Sequence, residues 1–274
     1  MITGERSCPR PPIGSNLYLI EPNGMGTSGY GPDMVTEQSE AAVEDGREEA
    51  GKARDRAAVS LAFVSGATDA TGLLALGGTF TSVMTGNLVL FGSGLAQGEP
   101  DIWAHAAYAI AAFVVGAAIG TRVAGTSVST DPVWPAAVNR ALLVEFVVFA
   151  IYAAFYWGSG NHPEGTLMAV LLALNAFALG MQSSAIQRYG VSGLSTTYMT
   201  GTLTTLVIRL ASGKPLRDVA HSGTLLISLV VGAAAAAASL RWAAGLVPAL
   251  QLIGVALALG LGAWSNRRHG QAPR

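Results

Sequence analysis

Thr81-Ser82-Val83-Met84-Thr85-Gly86-Asn87-Leu88 recurs 115 positions later as Thr196-Thr197-Tyr198-Met199-Thr200-Gly201-Thr202-Leu203. From Thr81 to Pro100, nine of twenty positions are identical across that shift, without a gap. One residue is then inserted. Beyond it, Ala104-His105 answers to Ala220-His221, and Val114-Val115-Gly116 to Val230-Val231-Gly232. Alanine bias explains matched alanines. It does not explain Met-Thr-Gly, Ala-His and Gly-x-Pro falling into one register, so we read a duplicated unit.

Around each copy lie apolar segments in the same order. In the first half, A runs from Ala57 to Leu76 and is broken by Gly77-Gly78. B, Thr81 to Ala96, carries the motif. C runs from Ile102 to Gly120 and D from Ala141 to Trp157. The second half repeats this as A′ (Thr166 to Gln187), B′ (Thr196 to Leu210), C′ (Val219 to Leu240) and D′ (Pro248 to Trp264). Gly116 and Gly120 have the small-xxx-small spacing that lets membrane helices approach closely.

Of 274 residues, 51% are hydrophobic and 12% charged, against a usual charged share of about 25%. Apolar runs of roughly 18 residues or more read as membrane spans. A soluble all-α domain would have to bury nearly every helix on all faces. A net charge of -1 argues against a nucleic-acid partner. The single cysteine, Cys8, excludes an internal disulfide. Residues 1–56, with Pro9-Arg10-Pro11-Pro12 and an acidic run from Glu37 to Glu49, read as a disordered charged tail, with at most a short solvated helix over 37–56. No apolar h-region marks them as a secretory signal. Residues 57–158 and 159–264 are then the two membrane repeats, and 265–274 a short basic tail.

Segments B and B′ are too short to cross. From Gly86 to Gly98 a helix reaches roughly 20 Å, against a hydrocarbon core of about 30 Å. Basic residues test this independently, because Lys and Arg favour cytoplasmic loops. With the N-terminal tail inside and eight full crossings, ten Lys and Arg from Arg47 onward fall inside and four outside. With B and B′ entering and returning on one side, thirteen fall inside and only Arg241 outside. The fold class predicted is therefore all-α: a polytopic bundle of six spans plus two re-entrant segments. Three spans per repeat is an odd number, so the halves are inverted, as in many transporters.

In this reading the two Met-Thr-Gly elements approach one another near the midplane. Gly86 and Gly201 allow close backbone contact, and Thr85, Asn87, Thr200 and Thr202 supply hydroxyl and amide groups. The alternative is that Thr-Gly is a packing device. Asp69, inside segment A, is an ionisable group in an apolar span and so a functional candidate; the alternative is a structural, hydrogen-bonded Asp facing the backbone of B. Gln182, Ser183 and Ser184 fill the place in A′ that Thr68, Asp69 and Ala70 hold in A, which leaves one charged wall. The substrate or ion pathway is thus assigned to Asp69, Thr85, Gly86, Asn87, Gln182, Thr200, Gly201 and Thr202. Glu145 lies nearer a helix end, close to Arg140, so a boundary ion pair stands beside a functional role for it. His105 and His221 are equivalent, but two histidines make no metal site.

Gly66-Ala67-Thr68-Asp69-Ala70, Met84-Thr85-Gly86-Asn87, Gly180-Met181-Gln182 and Thr200-Gly201-Thr202 together resemble the bacterial YoaK / DUF1275 family of membrane proteins, over Ala57 to Trp264. Ser183-Ser184 stands where the resemblance implies Asn-Ala. The family implies a polytopic bacterial inner-membrane protein of about six helices and brings no established activity.

No H-E-x-x-H, G-x-S-x-G or Walker loop is present, so neither an enzyme nor a cofactor is expected. The expected partners are the lipid bilayer and a small solute or ion, with homo-oligomers formed through Gly-rich helix faces. The function expected is a transporter or channel in the inner membrane with a cytoplasmic N-terminus. The alternative is a non-transporting scaffold or assembly factor.

Overall fold

The structure is a computed structural model. It describes residues 32–125, 134–188, 199–215 and 219–269, with side chains between 44 and 267. Thr196, Thr197 and Tyr198 of the second motif lie outside the described residues.

Eight α-helices follow one another: α1 (Pro32–Ala75), α2 (Met84–Gln97), α3 (Pro100–Ala124), α4 (Ala136–Gly158), α5 (Gly165–Gln187), α6 (Met199–Ala211), α7 (Ala220–Trp242) and α8 (Val247–His269). No strand occurs among the described residues. Six helices are long and apolar enough to cross a bilayer: α1 over Glu44–Ala75, then α3, α4, α5, α7 and α8. Their outward faces carry Val114, Val144, Ile151, Ile227 and Val230, as contact with lipid tails requires.

The charged tail departs from expectation. Residues 32–56 are not a disordered stretch with a break at Arg56; they are the first turns of α1. Ala50 and Ala53 are buried, and Glu48 pairs with Lys52 one turn on at 2.6 Å. Alanine, glutamate and arginine are strong helix formers, and the apolar span that follows supplies the nucleus the segment lacks alone. Residues 1–31 lie outside the described residues.

Side-chain contacts fix the direction of each helix. Gly77, just past α1, meets His105 near the start of α3, so α1 and α3 run opposite ways. Ser228 donates to the Val59 carbonyl, and Gly232 sits on Phe63, so α7 runs parallel to α1. Gly116 sits on Phe177, and Arg188 donates to the Ala124 carbonyl, so α5 runs parallel to α3. Trp134 packs on Gly262 and Trp157 donates to the Gly245 carbonyl, so α4 and α8 are antiparallel. The six long helices therefore alternate in direction, and α5 runs opposite to α1.

The short helices, of 14 and 13 residues, fall below the length of the six long ones. Gly77 and Gly78, at φ +91 and +73, turn the chain back on itself. Thr79 then lies against Gly72, and Thr81 and Ser82 reach Asp69, so the loop descends along α1 by roughly 9 Å at 1.5 Å per residue. From there α2 climbs back: Gly94 packs on Ile102 and Trp103 at the head of α3. At the other end, α6 begins beside Gln187 and Ser184, and Leu206 reaches Gly223 at the head of α7. Both short helices are nonetheless peripheral. Leu88 and Val89 of α2 and Leu203, Val207 and Ile208 of α6 are exposed. Their chains enter the bundle at the N-terminal turns, while their bodies carry an apolar outer face.

The centre belongs to α1 and α5. Of their most apolar windows 67% is buried, against 17% for α3 and α7. Leu61, Leu142, Phe149 and Leu179 pack there. Two close crossings join the central to the outer helices. A Cβ on Gly66 would overlap the Leu229 carbonyl, and one on Gly232 the Phe63 carbonyl. A Cβ on Gly180 would overlap the Phe113 carbonyl, and one on Gly116 the Phe177 carbonyl. Gly66 and Gly180, like Phe63 and Phe177, stand 114 positions apart; Phe113 and Leu229, like Gly116 and Gly232, stand 116 apart. Each of these glycine contacts of α1 with α7 thus has its counterpart between α5 and α3. Gly120, against Met181, makes a further close contact within the chain.

Candidate functional site

Asp69 is the acceptor around which the α1–α2 loop is built. Its Oδ1 receives the Thr81 N–H at 2.8 Å, the Thr81 hydroxyl at 3.0 Å and the Ser82 N–H at 2.7 Å. Its Oδ2 receives the Ser82 hydroxyl at 2.5 Å. A backbone amide left unpaired at this depth costs about 1–3 kcal/mol, so one carboxylate satisfies what water cannot. Asn87 completes the loop from the other side. It is fully buried; its Oδ1 accepts the Phe80 N–H at 2.9 Å and its Nδ2 donates to the Phe80 carbonyl at 2.7 Å. The side-chain amide imitates the edge of a strand, pinning one residue of the descending loop to the first turn of α2.

Above this loop lies a cavity of about 620 Å³. The residues lining it come in matched pairs. At an offset of 114 it holds Asp69 and Ser183, Ala70 and Ser184, Leu73 and Gln187. At 115 it holds Met84 and Met199, Thr85 and Thr200. At 116 it holds Phe113 and Leu229, Ala117 and Ala233. Gly66, Phe80, Ser82 and Val83 complete the wall. The cavity wall thus holds residues from both sides of the 114–116 register shift, with α1 and α5 running in opposite directions.

Of the residues assigned to a pathway, the structure brings Asp69, Thr85 and Thr200 to this cavity. The rest lie elsewhere. Gly86 faces the Phe80 ring of its own loop, and a Cβ on Gly201 would meet nothing within 4 Å. The close approach expected between these two glycines is absent, because Met84-Thr85 and Met199-Thr200 are what converge. Asn87 is turned into the loop, and its equivalent Thr202 is buried. Gln182 clamps α5 to α1, donating to the Ser65 hydroxyl at 2.9 Å and the Leu61 carbonyl at 3.2 Å.

Glu145 also departs from expectation. Arg140 is exposed, whereas Glu145 is fully buried and neither carboxyl oxygen has a hydrogen-bond partner among the described residues. Helix α4 turns the two side chains to different faces, so the boundary ion pair does not form.

Sequence reasoning gave no role to Ser82 or Phe113, and it set Ser184 opposite Ala70 without assigning it to the pathway. The signal for Phe113 was available: carrying the repeat register past the motif into C places it opposite Leu229. Ser184 donates to the Ala117 carbonyl at 2.7 Å, tying α5 to α3 at the cavity wall. The cavity offers hydroxyls at Thr85 and Thr200 and the amide of Gln187. Among the described residues no Lys, Arg or His lines it. Leu73, Phe80, Phe113 and Leu229 give it an apolar side.

Six helices long and apolar enough to cross, four of them around the central pair, make this a multi-pass α-helical membrane protein. The chain belongs to the DUF1275 family, described as a protein of unknown function, whose model matches residues 57–263. It is similar to the UPF0700 transmembrane protein YoaK of Bacillus subtilis (strain 168), at 31% identity over 147 residues, or 54% of this chain. The match spans 63% of that relative's length. No solved structure matches the chain significantly.

Proposed function

We propose that this protein carries a small solute across the bacterial inner membrane through the cavity between its two halves, with its N-terminus in the cytoplasm. The observation that supports it is the pairing of the cavity wall. A site built from equivalent residues of two oppositely directed halves lies near the midplane, on the axis that relates them. That is where alternating-access carriers place their substrates. The duplication read from the motif and the four reciprocal glycine contacts point the same way. Sidedness rests on the basic residues, thirteen of fourteen from Arg47 onward falling on the side of the N-terminal tail.

The wall favours a small organic solute over a bare hydrated ion. Among the described lining residues the one carboxylate, Asp69, is already engaged by four donors, and the rest is hydroxyl, the Gln187 amide, thioether and hydrocarbon. A volume of about 620 Å³ is of the size that holds a small molecule. Ser183→Cys in a Cys8→Ser background tests the reading. A carrier exposes that thiol to membrane-impermeant reagents from each side in turn. A scaffold leaves it reachable from one side at most.

A further inference from the structure

We propose that Glu145, outside the cavity, is a proton-binding site that exchanges its proton as the helices around it move. Glu145 lies in the crossing helix α4 on the stripe that buries Val138, Ala141, Leu142, Val148, Phe149 and Tyr152. It is 0% exposed and both carboxyl oxygens lack a partner among the described residues. No basic side chain among the described residues reaches its oxygens. Helix α5 carries no ionisable side chain. On α8 the basic residues follow Gly262, which meets Trp134, a residue ahead of α4. On α3, Asp101 and Tyr108 are exposed, His105 packs at Gly77, and Arg122 is exposed. On α4 itself Arg140 is exposed, and Tyr152 and Tyr156 lie two and three turns on. On α1, Asp69 is committed to Thr81 and Ser82, Arg54 is paired with Asp55, and Arg56 is exposed.

An unpaired carboxylate in hydrocarbon is costly, so the charge of this group depends on what reaches it. A metal ion would need several oxygens at once. Asn175 and the Gln251 Oε1 also lack partners among the described residues, but Gln251 is turned to Thr68, to which its Nε2 donates at 3.1 Å. A lone carboxyl suits a proton, the one cation that needs a single ligand. Water admitted by a shift of α4 against α5 and α8 would let that proton leave and return. Its use in a transport cycle rests on the function proposed above.

The test uses the full chain in lipid vesicles. Infrared spectra over a pH series should show a carboxylic-acid carbonyl band that responds to pH. The band should be lost in Glu145→Gln and kept at a changed frequency in Glu145→Asp. In the Ser183→Cys background, the side from which the thiol is labelled should shift with pH, and that shift should vanish in Glu145→Gln. A wild-type spectrum matching that of Glu145→Gln, or a band unmoved by pH, overturns the proposal. So does a labelling shift that survives Glu145→Gln, which leaves the carrier reading intact. A band that titrates while labelling stays one-sided upholds the proton site and removes the carrier reading.

Discussion

Asp69 and Ser82 are joined twice: the Ser82 N–H reaches Oδ1 at 2.7 Å, and the Ser82 hydroxyl reaches Oδ2 at 2.5 Å. The intramembrane carboxylate is first of all a structural acceptor, and its substitution should be read as such. Asp69→Asn keeps an oxygen for the three donors on Oδ1 and lets the Ser82 hydroxyl reverse its role. It should cost about 1–2 kcal/mol, the difference between charged and neutral hydrogen bonds. Asp69→Ala leaves four donors unpaired, each worth about 1–3 kcal/mol, and should abolish the folded protein. Thermal unfolding in detergent, followed by size-exclusion chromatography, separates the two.

Thr85 and Asn87 stand two residues apart with opposite duties. Thr85 is exposed in the cavity; Asn87 is buried in the loop. Thr85→Val should leave stability within about 0.5 kcal/mol, as for substitutions away from packed features, while changing what the cavity accepts. Asn87→Val should cost about 2–4 kcal/mol, because both polar groups of Phe80 lose their partner. Melting temperatures of the two variants, measured side by side, check the assignment.

The glycines divide the same way. Gly66→Ala, Gly116→Ala, Gly180→Ala and Gly232→Ala each drive a methyl into a carbonyl across a helix crossing and should destabilise by about 1–3 kcal/mol. Gly201→Ala meets nothing within 4 Å and should be neutral or slightly stabilising, given alanine's higher helix propensity of up to about 1 kcal/mol. Equal effects in all five variants would contradict the packing described.

Much of the fold was legible in the residues. All eight apolar segments became helices, and B and B′ became the two short ones, of 14 and 13 residues. The spacing of Gly116 and Gly120 correctly announced a close helix contact. What stayed hidden were partners. The route of residues 79–83 along α1 decides that Asp69 and Asn87 hold a loop, and no local pattern encodes that route. Helix α4 is apolar on every side, so nothing in its sequence tells which face buries Glu145. The Met-Thr-Gly motif showed where the halves meet but not which of its residues do the meeting: Met and Thr reach the cavity, while Gly faces its own loop or open space.

The central claim is that α2 and α6 enter from opposite faces and return without crossing. Single cysteines at Gly98 and Gly213, in a Cys8→Ser background, sit just beyond the ends of these helices. Labelling with a membrane-impermeant reagent in intact cells reads their sides directly. The account predicts Gly98→Cys outside and Gly213→Cys inside. Both on the inner side would mean two further crossings, and the paired cavity would lose its basis.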